Sequence, residues 1–382
     1  MKSALAAPLA VLLAGASPSP PGAGEPVPFL TAPPGFHVSV INKHVPGARF
    51  LVLAPNGDVL VAQTSAGTIW VIHPGSSPDD TPEQFDVGLS LPHGMAFFQG
   101  RLYVATWFGA VRYDYPAQHP TVLFDDLPKG GDHNRRALAI ARDGTIYESS
   151  GSNCNECDER DARFATIMRF IPGSAQSTIY ARGLRNASGL ALDASNRLWA
   201  TVNQRDQIGP TQAITDDLPP DEFDLIAQGA DYGWPQCYPD PSGARRLPNP
   251  EYPKADCSRT QPATFDLPAH SAPLGVAFYE GTMFPRAYRG DAFIALHGSW
   301  NRTKPSGDKV VVVDFAGGRP VGMRDFVTGW MNERGDYRGR PVGLAVGPTG
   351  RSTSAMTSSA GSTAFLTDPD GDDVRGVLCE AL

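Results

Sequence analysis

The chain carries no surplus of basic residues, no heptad repeat and no apolar run long enough to cross a bilayer as a helix. Each absence removes a class of function. Lys and Arg number 32 against 40 Asp and Glu, a formal charge of −8, whereas a nucleic-acid partner wants a basic face. No Gly-x-Gly-x-x-Gly follows a strand into a helix, so a nicotinamide enzyme is unsupported. Cysteine is scarce, at five residues. Cys154 and Cys157 form a C-x-x-C, but no second such pair or nearby histidine completes a zinc site.

Gly and Pro are abundant, at 40 and 36 residues, and they point to many turns rather than long helices. The opening MKSALAAPLAVLLAGAS has one lysine, a short apolar run and small residues before Ser17. It reads as a Sec-type signal peptide over residues 1–16, with an Ala-rich tail as the plainer alternative. A Pro-rich spacer is expected over 17–33, extended and outside the core. Export to the periplasm or the medium agrees with an even cysteine count once Cys379 in the tail is set aside. The pairs expected are Cys154–Cys157 and Cys237–Cys257.

One strand-turn-strand phrase recurs along the chain. It appears as FLVLAPNGDVLVAQTSAGTIWVI, HGMAFFQGRLYVATWFGAVRYDY, RALAIARDGTIYESSGS and SGLALDASNRLWATVNQRD. A looser copy starts at LGVAFYEG and continues into KVVVVDF, and a last one, VGLAVGPTG, begins and stops. Period-two alternation around N-G, D-G and S-N marks hairpins. About six copies, each with room for four strands, imply an all-β fold, a six-bladed β-propeller over residues 34–350. A β-sandwich does not repeat one hairpin phrase along a whole chain.

The sixth copy breaks after Pro348. Codons for PDGALYVSDDLIGRVYRVSY, with one G deleted near the start, translate to PTGRSTSAMTSSAGSTAFLT, which is Pro348–Thr367 of this chain. The repeat therefore predicts an aberrant tail over 351–382, read in a shifted frame, and an incomplete sixth blade. A natural low-complexity tail is the bland alternative. An incomplete blade exposes strand edges, so the chain is expected to be less stable than a repaired one.

In a propeller, polar residues just outside the strand phrases converge around the channel. His133 precedes the third copy, and imidazole is the side chain that accepts a proton near neutral pH. Arg185 and Asn186 stand at the next such position, where a guanidinium would hold anionic oxygens. Asp206, Asp216, Asp217, Asp221 and Glu222 concentrate oxygen ligands of the kind Ca²⁺ prefers, or form a solvated acidic loop. His270, His297, Asn301, Arg302, Lys304, Arg338 and Arg340 complete the candidates.

In order, the phrases GGDHNRRALAI…DGTIYESSGSNCNEC, GLRNASGLAL, DDLPPDEFDLIAQGADYGWPQCY, LPAHSAPLGVAFY and GRPVGLAVGP resemble the glucose/sorbosone dehydrogenase family. These are soluble pyrroloquinoline quinone (PQQ) enzymes with a six-bladed propeller, and the resemblance runs from about Pro34 to Pro348. It implies PQQ and Ca²⁺ as cofactors, a sugar or sugar-derived aldehyde as substrate, and an unidentified electron acceptor. It makes His133 the general base, Arg185 the arginine beside the quinone, and Asn186 its neighbour. It sets Arg338 and Arg340 on the quinone carboxylates, with Arg302 or Lys304 as another cation and His93 lining the pocket. Glu222 and the Tyr232 backbone would bind a structural Ca²⁺, and the Gly209–Pro210 carbonyls the catalytic one. Two departures stand out: a longer insert after Pro210, and Ser152 near the place of the acid that supports the base.

Two other readings compete. A metal-dependent lactonase on the same fold would gather acidic and Asn ligands around one ion. A non-catalytic binding propeller would keep the fold alone. The Arg185, Arg338 and Arg340 set suits a tricarboxylate cofactor better than it suits the first of these.

Overall fold

The computed structural model describes residues 25–208 and 215–346, and beyond them the strands Ala355–Ser358, Thr363–Thr367 and Cys379–Glu380. The expected signal peptide lies outside the described residues.

Each repeated phrase folds as the inner part of a four-stranded antiparallel blade. Blade 1 holds Leu51–Leu53, Val59–Gln63, Thr68–Ile72 and Glu83–Asp86. Blade 2 holds Met95–Phe98, Arg101–Thr106, Gly109–Tyr113 and Thr121–Phe124. Blade 3 holds Leu138–Ile140, Ile146–Ser150, Thr166–Phe170 and Thr178–Arg182. Blade 4 holds Ala187–Leu192, Leu198–Val202, Asp221–Leu225 and Phe265–Leu267, with the hairpin Cys237–Pro239/Arg246–Pro248 inserted before its last strand. Blade 5 holds Pro273–Phe278, Ala292–Leu296, Lys309–Ala316 and Arg319–Val327.

The turns work as their sequences require. At Asn56–Gly57 the Gly57 N–H donates to Ala54 O at 2.9 Å and the Ala54 N–H to Asp58 O at 2.8 Å. Asp143–Gly144 repeats this pattern at 2.9 and 2.8 Å, and Asn196 takes the left-handed position in blade 4 at φ 62°. Between the blades, buried apolar side chains interlock. Trp199, Phe223, Phe278 and Phe315 join blades 4 and 5, while Phe284, Phe293 and Phe326 fill the outer part of blade 5.

Among the described residues five regular blades form, not six, and this corrects the six-bladed expectation. The remaining sheet is mixed, in the order Glu25–Pro26, His37–Asn42, Thr363–Thr367, Ala355–Ser358, Cys379–Glu380, Arg340–Pro341. Ala355–Ser358 and Cys379–Glu380 even run parallel. The cause is local. No D-G-x-L-Y-V strand follows Pro348 to pair with the sixth phrase, so Arg340–Pro341 keeps only a two-residue ladder with the tail. The tail supplies three short strands to this sheet.

The sixth phrase nevertheless spans the gap in the ring. Gly275 N–H donates to Val342 O at 2.8 Å, and Gly343 N–H donates to Arg49 O at 3.1 Å, linking blade 5 to blade 1. A Cβ on Gly343 would lie 2.8 Å from that Arg49 oxygen, so only glycine permits the approach. Leu344 then packs into the blade 5 cluster and Ala345 against blade 1.

The spacer expectation is corrected in part. Glu25–Pro26 pairs with His37–Asn42, Val27 is buried, and Thr31 bridges to Thr328. Apolar Val27, Phe29 and Leu30 cover the open side of blade 5, which gives this Pro-rich stretch a reason to dock. Among the described residues no helix is long and apolar enough to cross a membrane.

Candidate functional site

Both expected disulfides are formed, with Cα–Cα separations of 6.1 Å for Cys154–Cys157 and 6.0 Å for Cys237–Cys257. The first shapes the loop beneath Arg185, and the second closes the blade 4 insert. Cys154, Cys157 and Glu159 cluster, but oxidised sulfurs are poor metal ligands.

The inner strands all start at one mouth of the ring, and the residues just before them line two adjoining cavities. One lobe, about 100 Å³, is lined by Arg49, His93, Asp132, His133, Arg135 and Asn186 among others. The second, about 150 Å³, also touches His133 and Asn186 and adds Arg185, Gln204, Asp206, Asp221, His270 and Trp300. His133 therefore sits on the boundary between the lobes.

The His133 ring lies with Nδ1 2.9 Å from the Ser152 carbonyl oxygen. A carbonyl only accepts, so Nδ1 carries the proton and Nε2 keeps its lone pair. Burial, reinforced by the positive charge of Arg185, pushes the His133 pKa down to about 3. The ring is neutral at physiological pH. Its position depends on Gly151, where a Cβ would stand 2.5 Å from the His133 Cβ and 2.9 Å from Asn186 Oδ1.

Arg185 is buried and held at every nitrogen. Its Nε donates to Asn155 O at 2.9 Å, Nη1 to Gln204 O at 2.8 Å and Nη2 to Asn155 Oδ1 at 2.8 Å. Its guanidinium also lies over the Trp234 ring. Burial lowers its pKa to about 10, which leaves it charged at neutral pH. Asn186 donates to Asn203 Oδ1 at 3.1 Å, and Asn203 in turn to Pro273 O at 2.7 Å, fixing the amides across blades 4 and 5. His93 is buried, with Nδ1 2.9 Å from Thr64 Oγ1. Burial, with Arg49 and Arg135 nearby, holds it well below the ordinary imidazole range.

The other expected cations lie elsewhere. Arg340 donates to the carbonyls of His297 and Gly298 and faces Asp308 at 3.7 Å. Arg338 is exposed over the Phe29 ring. Arg302 braces its own loop through Ala269 O and Asp217, and Lys304 is exposed. None of the four lines either lobe, because the sixth-phrase chain runs directly from blade 5 to blade 1 and its guanidinium groups find carbonyls and an aromatic ring on the way. Besides Arg185, the arginines that line the lobes among the described residues are Arg49 and Arg135, which sequence reasoning missed. Their signal was positional: each stands just before an inner strand, as His93 and Asn186 do.

The structural Ca²⁺ set also differs. Glu222 is buried and bonded by Arg246 and by the side-chain amide of Gln204. Arg246, fully buried, also faces Asp224 at 3.8 Å and the Tyr232 ring. The Glu222 carboxylate is thus bonded by a guanidinium and an amide. Gly209 and Pro210 lie outside the described residues.

The hub of this propeller therefore gathers a neutral imidazole, three arginines and several polar side chains at the channel mouth. The chain belongs to the TrAA12-like family, which it matches over residues 30–360. Over 209 residues it is 28% identical to the pyrroloquinoline quinone-dependent pyranose dehydrogenase of Coprinopsis cinerea, covering 47% of this chain and 28% of that protein. It is 32% identical over 230 residues to an uncharacterized protein of Borreliella burgdorferi, covering 58% of each. The chain thus spans 58% and 28% of the length of these two curated relatives. The holo PQQ domain of the Coprinopsis enzyme superposes with a TM-score of 0.72 at 21% identity, covering 88% of this chain and 97% of the domain. A calcium structure of the Trichoderma reesei AA12 enzyme superposes with 0.73 at 20% identity, covering 89% and 97%.

Proposed function

We propose that this protein oxidises a sugar, or a sugar-derived aldehyde hydrate or hemiacetal, with PQQ as hydride acceptor and Ca²⁺ as its companion ion. The observation that carries the reading is His133, neutral and fixed in the Nδ1–H tautomer between a cation-rich lobe and a polar one. Membership of the family and the PQQ-dependent relatives support it.

The described residues suit both groups. A tricarboxylate would be held by Arg49 and Arg135, with Arg185 adding positive field from the second lobe. Gln204 Oε1 is buried without a hydrogen-bond partner and stands beside Asp206 and Asp221, a donor set of the kind Ca²⁺ takes. When bound, the quinone supplies the two-electron acceptor that no side chain offers. The protein does the rest. Nε2 of His133 accepts the substrate hydroxyl proton as hydride leaves the same carbon, so the carbon is oxidised and the proton has a destination. Ser152 O keeps the ring from turning, a carbonyl doing what an acid would do elsewhere. The positive charges stabilise negative charge that develops opposite the substrate.

On this reading the sheet closing blade 5 to blade 1 is a sixth blade truncated by the shifted frame. The purified protein, loaded with calcium, should take up PQQ in an absorbance titration and reduce a dye with aldoses or sorbosone. His133→Ala should lose dye reduction and keep PQQ binding. A fully active variant removes the base assignment. Lactone hydrolysis without PQQ would replace the reading altogether.

A further inference from the structure

Trp300 is the most exposed large apolar side chain among the described residues, at 75%, yet it lines the second lobe. A single exposed apolar side chain is ordinary on a protein surface; what sets this indole apart is that it lines a polar cavity. Its loop is not loose. Ser299 N–H donates to Ser306 O at 2.8 Å and Ser306 N–H to Ser299 Oγ at 2.9 Å. Thr303 is bonded to Asp216, and Arg302 Nη1 donates to Ala269 O at 3.0 Å. The ring is presented on a braced support.

Opposite it, the chain is strained. His270 and Ala272 both hold positive φ, 57° and 51°, and both line the same lobe. Non-glycine residues in that region mark places where the surroundings force the backbone, often at ligand sites. Nε2 of His270 meets the carbonyls of Thr215 and Leu218 at 2.5 and 3.1 Å, so Nε2 carries the proton. With Nε2 as the donor, Nδ1 is the ring nitrogen left to accept.

We infer that Trp300 is the platform on which a pyranose ring lies during the reaction, and that Nδ1 of His270 accepts one of its hydroxyls. The inference rests on the dehydrogenase reading and deepens it. An indole face is apolar and electron-rich, and it attracts the C–H bonds that a pyranose with equatorial hydroxyls presents on one side. Sugars pair such a face with a dense rim of hydroxyls, and Asn203 and His270 supply matching polar partners. Arg49 and Arg135 line the other lobe, which draws an anionic cofactor there and leaves this rim to a neutral polyol.

The test uses the full chain supplied with calcium and PQQ. Trp300→Ala should raise KM for aldopyranoses about tenfold, the weight of one aromatic contact, with kcat within about twofold and PQQ affinity unchanged. Trp300→Phe should recover most of the loss. A methyl pyranoside, unreactive at its anomeric carbon, should shift the indole emission of the wild type and not of Trp300→Phe. Wild-type KM in Trp300→Ala overturns the platform, as does weakened PQQ binding, which would make Trp300 a cofactor wall. Should the wild type take up no PQQ, the dehydrogenase reading fails, and the emission shift alone decides the platform: no shift, no platform.

Discussion

Nδ1 of His133 stands 2.9 Å from the carbonyl oxygen of Ser152, and this one bond sets which nitrogen of the imidazole faces the cavity. With its pKa pushed down to about 3 by burial, the ring should stay in the neutral Nδ1–H form throughout the range from pH 5 to 9. Nitrogen chemical shifts of labelled histidine measure this. A protonated His133 at pH 6 in the unliganded protein contradicts it.

Gly151 leaves room for His133 and nothing more. Gly151→Ala would bring a methyl group 2.5 Å from the His133 Cβ and 2.8 Å from its carbonyl oxygen, so the segment must move. A displacement near 1 Å costs about a hundredfold in rate. The variant should fold, as judged by circular dichroism, with kcat/KM for dye reduction down by about that factor.

Arg246 neutralises a buried acidic cluster made by Glu222 and Asp224. Removing one member of such a set leaves charge uncompensated in the core. Arg246→Met should therefore lose about 3–5 kcal/mol in urea unfolding. Adding Glu222→Gln should recover part of that loss, and a double variant no better than the single one speaks against the pairing.

Glu148 is buried, both its oxygens lack partners, and Arg136 at 4.0 Å gives its nitrogens to the carbonyls of Trp107, Ser149 and Pro128. Burial raises the Glu148 pKa to about 8. The folded state then binds more protons than the unfolded one between about pH 4.5 and 8, so this group's contribution falls as pH rises through that window. Glu148→Gln removes the dependence. Its melting temperature should exceed the wild type's by more at pH 9 than at pH 5, and an equal difference at both would refute the assignment.

Restoring PDGALYVSDDLIGRVYRVSY after Gly347 should give the sixth phrase its missing partners. In the present chain the ladder at Arg340–Pro341 is two residues long. The repaired chain should melt higher and resist proteolysis of its C-terminal region. Equal melting temperatures would show that the existing tail closes the ring as well.

The sequence alone determined the blades, because their signals are local. N-G and D-G turns and period-two alternation act within a dozen residues, and the five full phrases each became a blade. It also determined both disulfides and put His133, Arg185 and Asn186 just outside the strands that line the cavity, while the family resemblance added His93. Only the tertiary structure decided which charges share that cavity. Arg49 and Arg340 lie at opposite ends of the chain, yet the Gly343–Arg49 bond brings their segments together and turns one towards the hub and the other into carbonyls. Likewise Glu222, a calcium ligand by family resemblance, meets the guanidinium of Arg246, 24 residues on, which no local pattern announced. Charge and hydrogen-bond partners are chosen by proximity in space, and the closure of a ring sets that proximity.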